Sequence, residues 1–345
     1  MVDAAKLVKA GDVPSAVADE TSARKHFDGA EQDLAVAAEV GARLVVPGDE
    51  QWPAWSLLPL TNAGARGLRW ACPPLGLWVR GKGKLADSLQ RAVSVVGARS
   101  ATGYGEHVAA EFGFGLADRG MTVVSGAAYG IDGAAHKGAL RAGGCTVAVL
   151  ACGIDRAYPA GHSLLLDRIA QDGLVITEYP PGTPPGRHRF LVRNRLIAAL
   201  GAGTVVVEAG QRSGARNTAA SAAALGRVLM VVPGPVTSPM SIGCHELLRE
   251  GLATSVSSVA EVVESVGLFG EDLVTKPEAV ARPTDGLDHE SLRVHEALEM
   301  RAGHSAERIA EVSGVPLQRV RAVLPALELT GLADRCDSGW RRVKA

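Results

Sequence analysis

AVSVVGARSATGYGEHVAAEFGFGLADRGMTVVSGAAYGIDGAAHKGALRAGGCTVAVL, residues 92–150, decides the fold. It holds three short valine-rich runs, Ala92–Gly97, Met121–Val124 and Cys145–Leu150, separated by helix-length segments of mixed polarity. The runs show little polar alternation, which is the pattern of strands covered on both faces. Working outward, Leu174–Thr177, Thr204–Val207 and Val228–Val232 continue the series. Helices are expected over Glu106–Arg119, Asp132–Arg141, His162–Gln171 and Thr218–Leu225. This order of buried strands and helices is that of an α/β protein with a doubly wound, mostly parallel sheet.

The flanks read differently. Leu34–Val40 suggests a helix, and Leu44–Val46 and Leu77–Arg80 suggest strands; residues 47–76, rich in Pro, Gly and Trp, read as irregular chain around the core. Residues 268–290 carry six acidic and two basic side chains with two prolines, the composition of a linker. Beyond it, three helices are expected over Leu292–Met300, Ser305–Val312 and Pro316–Leu329, with Ser305 as an N-cap. A ribbon turning at Asp337–Gly339 follows, which makes residues 291–345 a small winged-helix domain. Pro325 conflicts with the third helix and predicts a kink or an early end.

The chain has 345 residues, with Lys+Arg 36 against Asp+Glu 37, a net charge of -1. A global polycation is excluded, so a nucleic-acid site has to be a local patch. Residues 187–227 supply one, with seven arginines and a single acid, Glu208. No run approaches the ~20 apolar residues of a membrane span, and residues 1–12 lack the apolar core of a signal peptide. The five cysteines form no C-x-x-C pair, so neither a metal site nor a disulfide framework is indicated. These features suggest a reducing, cytoplasmic setting.

Ligands of open α/β sheets bind beyond the carboxyl ends of the strands. The segments there are GARSATGYGE, SGAAYGID, ACGIDRAYPAGHS, EYPPGTPPGRHRF, EAGQRSGARNT and PGPVTSPMSIGCH. Glycines recur where strand turns into helix, which lets backbone N–H groups approach an anion. All four tyrosines, Tyr104, Tyr129, Tyr158 and Tyr179, fall in these segments, joined by Arg99, Arg156, Arg187, Arg189, Arg212 and Arg216. Several anion sites along one edge suit a polyanion better than a single nucleotide, and aromatic faces stack bases without reading sequence. Arg193 and Arg195 flank Asn194 and point to different helix faces, leaving one for a ligand and the other for a carboxylate such as Glu178 or Glu208. For catalysis the candidates are Asp132, His136, Asp155, Glu178 and Glu208, but no Ser/His/Asp order, H-E-x-x-H or G-K-[ST] string organises them. GFGLADRG falls inside an expected helix and is not a G-x-G-x-x-G.

Taken in order, VVGARSATGYG (95–105), SGAAYGIDGAAHKGAL (125–140), TEYPPG (177–182), RFLVRNRLIAAL (189–200), the VVEAG…SGA…TA string (206–219), VPGPV (232–236) and SIGCHELLREG (241–251) resemble the DNA-processing protein A (DprA/Smf) family. The resemblance implies an extended Rossmann-like core over 41–267 that binds single-stranded DNA without sequence preference. It also implies protection of incoming single strands, loading of the RecA recombinase against single-strand-binding protein in natural transformation, a homodimer, and neither cofactor nor turnover. Residues 1–40 then read as the remnant of a helical N-terminal module. Carried over by position, the nucleic-acid-binding residues are Gly97, Arg99, Ser125, Gly126, Gly130, Arg187, Arg189, Phe190, Arg193, Asn194, Arg195, Ser213 and Gly214. Tyr104 and Tyr129 are stacking candidates, Tyr129 standing where the family usually has arginine. A competing reading is a nucleotide or nucleotide-sugar hydrolase on a related scaffold, but EAGQRSGARNTA lacks the P-G-G-x-G-T-x-x-E string of such enzymes. A third is a transcription regulator; residues 291–342, with eight arginines and seven acids, make a poor footprint for duplex DNA.

Overall fold

The computed structural model describes residues 28–267 and 283–343, together with Asp12 and Ala18. They belong to two compact units that divide at Val274/Thr275.

The first unit is built on nine strands: β1 (Ala42–Val45), β2 (Leu77–Arg80), β3 (Ala92–Val96), β4 (Thr122–Ser125), β5 (Thr146–Val149), β6 (Leu174–Thr177), β7 (Gly203–Val206), β8 (Val228–Val231) and β9 (Thr254–Ser255). They form one sheet in the order β1-β2-β6-β5-β4-β3-β7-β8-β9. The seven strands from β6 to β9 run parallel, while β2 pairs antiparallel with β6 and β1 antiparallel with β2. Every residue of β3 is buried. Val93 and Val95 enter a core shared with the helices Gly103–Asp118, Ile131–Arg141 and Val259–Val266. Ala92 and Val96 enter the opposite core, shared with the helices Ala54–Ala65, Arg187–Leu200 and Gly214–Ala224. Burial on both faces explains the lack of polar alternation, and each buried valine contributes ~1.5–3 kcal/mol. Ser94 is the polar exception in this strand; its Oγ donates to the carbonyl of Ile197 (2.6 Å) and pins the helix Arg187–Leu200 to the sheet.

The glycines of GFGLADRG serve packing. A Cβ at Gly113 would lie 2.2 Å from the Ala135 carbonyl oxygen, and one at Gly138 would lie 2.1 Å from that of Ala110. The helices Gly103–Asp118 and Ile131–Arg141 therefore meet backbone to backbone. The order of strands along the sheet reverses between β3 and β7, which makes a crevice outside their carboxyl ends.

Several elements differ from the sequence reading. Residues 47–76 contain the helix Ala54–Ala65, which runs through Pro59 because Leu57, Leu60 and Ala63 are buried along it. The helices Ile242–Arg249 and Val259–Val266 and the two-residue β9 were likewise unanticipated. Tyr104 sits in the first helical turn after Thr102, not in a loop.

The second unit contains the helices His289–Glu296, Ala306–Ser313 and Leu317–Leu329, then a hairpin of β10 (Ala333–Cys336) and β11 (Gly339–Arg342). Ser305 caps its helix by accepting from Arg308 N–H (3.3 Å), and Gly314 ends that helix at φ 65. Val294, Ile309, Val320, Leu324 and Leu327 form the core. The third helix passes Pro325 without ending. Pro325 faces solvent while Leu324 and Leu327 are buried, so packing of the inner face outweighs one missing hydrogen bond. The expected linker lies outside the described residues over 268–282, as does most of the expected N-terminal module.

Candidate nucleic-acid interface

A cleft of about 650 Å³ opens at the reversal point. One wall is the segment after β3, a second the start of the helix Arg187–Leu200, and a third the segment after β7 leading into Gly214. Gly97 opens the first wall, where a Cβ would lie 2.5 Å from Ile131 Cγ1. The next turn exposes Arg99, whose guanidinium lies over the Phe190 ring at 4.9 Å. The Tyr158 ring leans on Phe190 at 5.3 Å and 39°. Arg187 and Arg212 are exposed on the other two walls. Among the described residues, none of Arg99, Arg187 and Arg212 has an ion-pair or hydrogen-bond partner within the protein. Three unneutralised guanidinium groups thus surround one cleft with an aromatic ring between them.

The acids nearby are internal. Asp132 is the one carboxylate of the described residues on the cleft lining, and it is buried. It accepts from Gly126 N–H (3.1 Å); burial pushes its carboxyl above the ordinary value, against the pull of the Arg193 charge. Arg193 donates through Nη1 to the carbonyls of Gly126 (3.0 Å) and Val149, tying the ends of β4 and β5 to its own helix. Burial lowers its guanidinium to about 10, so it keeps its charge at neutral pH. Gly126 is required here, since a Cβ would lie 2.2 Å from Arg193 Nη1.

The helix N-termini divide into two kinds. Glu208 accepts from Thr102 N–H (2.9 Å) and Thr102 Oγ1 (2.6 Å), so a carboxylate already occupies the start of the helix Gly103–Asp118. Asp132 occupies the first turn of Ile131–Arg141. By contrast, the helices Arg187–Leu200 and Gly214–Ala224 carry no acid in their first turns and open into the cleft. Ser213 caps the latter by accepting from Ala215 N–H (3.2 Å), and beside Gly214 lies open space.

The structure brings Gly97, Arg99, Arg187, Phe190, Arg193, Asn194, Ser213 and Gly214 onto one cleft. Asn194 is held there by Asn217, to whose Oδ1 its Nδ2 donates (3.2 Å). The other expected residues have different surroundings. Ser125 is fully buried, its Oγ donating to the Val95 carbonyl (2.6 Å). Gly130, at φ 72, packs on the Ala98 carbonyl, and neither it nor Gly126 lines the cleft. Arg195 turns away: its two terminal nitrogens reach the Glu178 oxygens, both at 2.6 Å, and its Nε reaches the Cys72 carbonyl (2.8 Å). Arg189 donates to the Pro184 carbonyl (2.6 Å) and lies over Tyr179. Tyr104 lies off the cleft lining; Tyr129 accepts from Gly161 N–H (3.3 Å) and sets its ring edge against His162. The sequence reading places Arg212 and Tyr158 among the arginines and tyrosines of the sheet edge, but not among the nucleic-acid-binding residues carried over by position. Their signal was position alone, the carboxyl ends of β7 and β5.

The five catalytic candidates are each engaged. Glu178 holds Arg195, Glu208 holds Thr102, and Asp155 accepts from Gly182 N–H (2.9 Å). His136 is fully buried with Nδ1 against Thr146 Oγ1 (2.7 Å). Thr146 gives its own proton to the Val123 carbonyl, so His136 Nδ1 is the donor. Burial, with His162 and Arg193 nearby, lowers His136 to about 3 and keeps it neutral. No cluster of metal-ligating side chains and no helix long and apolar enough to cross a membrane occurs among the described residues.

Solved structures of related proteins share this fold. A Mycobacterium tuberculosis relative provisionally named DNA processing protein DprA is 50% identical over 344 residues, covering 100% of this chain and 88% of its own. Protein Smf of Escherichia coli is 34% identical over 303 residues, 87% of this chain and 77% of its own. The structure of DprA from Streptococcus pneumoniae superposes with a TM-score of 0.60 at 33% identity, covering 70% of this chain and 79% of that one. Helicobacter pylori DNA processing protein A, whose structure concerns a single-stranded DNA binding mode, gives a TM-score of 0.51 at 29% identity, covering 56% and 86%. The model of the family DNA recombination-mediator protein A matches residues 43–267. With that match over the whole sheet and its cleft, the chain belongs to the DNA recombination-mediator protein A family.

Proposed function

We propose that the cleft binds single-stranded DNA without sequence preference, and that the protein shields such strands and loads RecA recombinase onto them in place of single-strand-binding protein. One observation carries the reading: Arg99, Arg187 and Arg212 stand unneutralised around a cleft that also offers the Phe190 ring. Phosphates are held by the guanidinium groups and by the open N-termini of the helices Arg187–Leu200 and Gly214–Ala224, while bases rest on Phe190. Gly126, Arg193 and Arg195 support the cleft from behind. The family acts as a recombination mediator, and in this reading it needs neither a cofactor nor turnover.

We further propose that a homodimer is the working form and that residues 291–345 are a winged helix serving protein contacts. In that last unit Arg319 pairs with Glu290 and Arg321 with Glu307, leaving the third helix poorly charged for duplex DNA.

The test is fluorescence anisotropy with a single-stranded oligonucleotide and its duplex over a salt titration. Single strands are expected to bind far more tightly. The Arg99→Ala/Arg187→Ala/Arg212→Ala protein is expected to lower the slope of log K against log salt by about 2, at ~0.7 per lost phosphate contact. Equal affinity for duplex, or an unchanged slope, refutes the site. RecA ATP hydrolysis on strands coated with single-strand-binding protein checks the loading step separately; no acceleration refutes it.

A further inference from the structure

A second groove, of about 680 Å³, adjoins the cleft and shares Leu191 and Asn217 with it. Its floor is Leu191 and Val192 from the helix Arg187–Leu200, both exposed. One wall is the face of the helix Gly214–Ala224 that presents Asn217, Ala220, Ser221 and Ala224, spaced at three and four residues and all small apart from the asparagine. The opposite side carries Trp70, 42% exposed, and Arg69, also exposed. Among the described residues Arg69 has no ion-pair or hydrogen-bond partner, and no carboxylate lines the groove. Arg195, which also borders it, is already neutralised by Glu178.

We infer that this groove carries the single strand onward from the cleft, with a base stacked on Trp70 and a phosphate held by Arg69. The inference rests on the single-strand reading given above. The ingredients repeat those of the cleft, one unneutralised guanidinium beside one exposed ring, and the shared Leu191 and Asn217 make the two continuous. The small side chains of the helical wall leave width for a planar base. An indole is a large stacking surface, and stacking accepts any base. A strand that crosses Leu191 leaves the Phe190 platform and meets the Trp70 platform next. The bound length is therefore longer than the cleft alone accommodates.

The test compares oligothymidylates of increasing length, from one that fills the cleft to one several nucleotides longer, binding to the full chain. The wild-type protein is expected to gain affinity across that interval. Trp70→Ala is expected to weaken the longer oligonucleotide about 5- to 150-fold, from ~1–3 kcal/mol per stacked base, and to leave the shorter one unchanged. Trp70→Phe is expected to recover most of the loss. Arg69→Ala is expected to lower the salt slope for the longer oligonucleotide by ~0.7. Both side chains are exposed, so unchanged thermal unfolding is expected of these variants. The inference is overturned if Trp70→Ala binds the longer oligonucleotide as the wild type does. It is also overturned if short and long oligonucleotides lose affinity equally, or if Trp70→Ala instead abolishes self-association in sedimentation velocity, which marks the groove as a protein surface. Failure of the single-strand reading looks different: Arg99→Ala then leaves even the shortest oligonucleotide unaffected.

Discussion

Replacing Arg195 by methionine separates a structural arginine from a ligand-binding one. The Arg195 and Glu178 side chains are 8% and 13% exposed, and two N–O distances of 2.6 Å join them. Arg195 also satisfies the carbonyls of Cys72 (2.8 Å) and Val192 (3.0 Å). Arg195→Met strands the Glu178 carboxylate in a low-dielectric site, and breaking such a pair from one side costs about 3–5 kcal/mol. At ~2–4 °C per kcal/mol for a unit of this size, the midpoint of thermal unfolding falls on the order of 10 °C. The salt dependence of binding by an oligonucleotide short enough to fill only the cleft stays unchanged in the folded protein, because Arg195 points away from the cleft. Arg99→Ala behaves in the opposite way. Its side chain is exposed, so stability shifts by less than ~0.5 kcal/mol, while the salt slope drops by ~0.7. Differential scanning calorimetry and anisotropy titration on the same two variants provide the comparison. Arg195→Met/Glu178→Leu is expected to regain much of the lost stability, since an apolar pair replaces a buried ionic one with little penalty. An Arg195→Met protein that keeps its unfolding temperature but loses salt sensitivity refutes this assignment of roles.

Other consequences can be measured directly. His136 is neutral and buried at about 3 against an ordinary 6.5, so the unfolded chain binds the extra proton. Stability is then full above pH 6.5 and falls as pH drops towards 3; at pH 5 the loss is about 2 kcal/mol at 1.36 kcal/mol per unit, visible as a lower urea midpoint that a His136→Gln protein does not share. Gly113→Val is expected to destabilise by at least ~1–3 kcal/mol, because its side chain meets the Ala135 backbone; an unchanged urea midpoint contradicts the close helix contact. Gly126→Ala is expected to displace the Arg193 guanidinium and to weaken both folding and single-strand binding, read by calorimetry and anisotropy together. Glu208→Gln removes the charge at the start of the helix Gly103–Asp118 and is expected to cost about 0.3–2 kcal/mol.

Much of this was legible in the chain. Strands covered on both faces announce themselves because both faces are apolar, so the sequence reading matches Leu174–Thr177 and the antiparallel Leu77–Arg80 to the residue and β3 to within one. The helix Ala54–Ala65 was not, because Pro59 carries a local signal that only tertiary packing overrides. The site divided along a similar line. That arginines and glycines would gather at one sheet edge follows from topology, and Arg99, Arg187 and Phe190 are found there. Which arginines are spent inside does not follow. Arg193, Arg195 and Arg187 are of one type on one helix, and their roles differ because Asp132, the Gly126 carbonyl and Glu178 come from distant parts of the chain.

The carboxylates at the helix starts give the sheet edge two unlike banks. On the bank formed by the helices Gly103–Asp118 and Ile131–Arg141, Glu208 and Asp132 already sit where an incoming phosphate would go. On the bank formed by Arg187–Leu200 and Gly214–Ala224, no carboxylate stands in the first turns, and arginines flank them. A polyanion drifting along the edge is repelled from one shore and held on the other. On the proposed single-strand reading, this electrostatic exclusion steers the strand to a single lane before any base is touched, equally for every sequence.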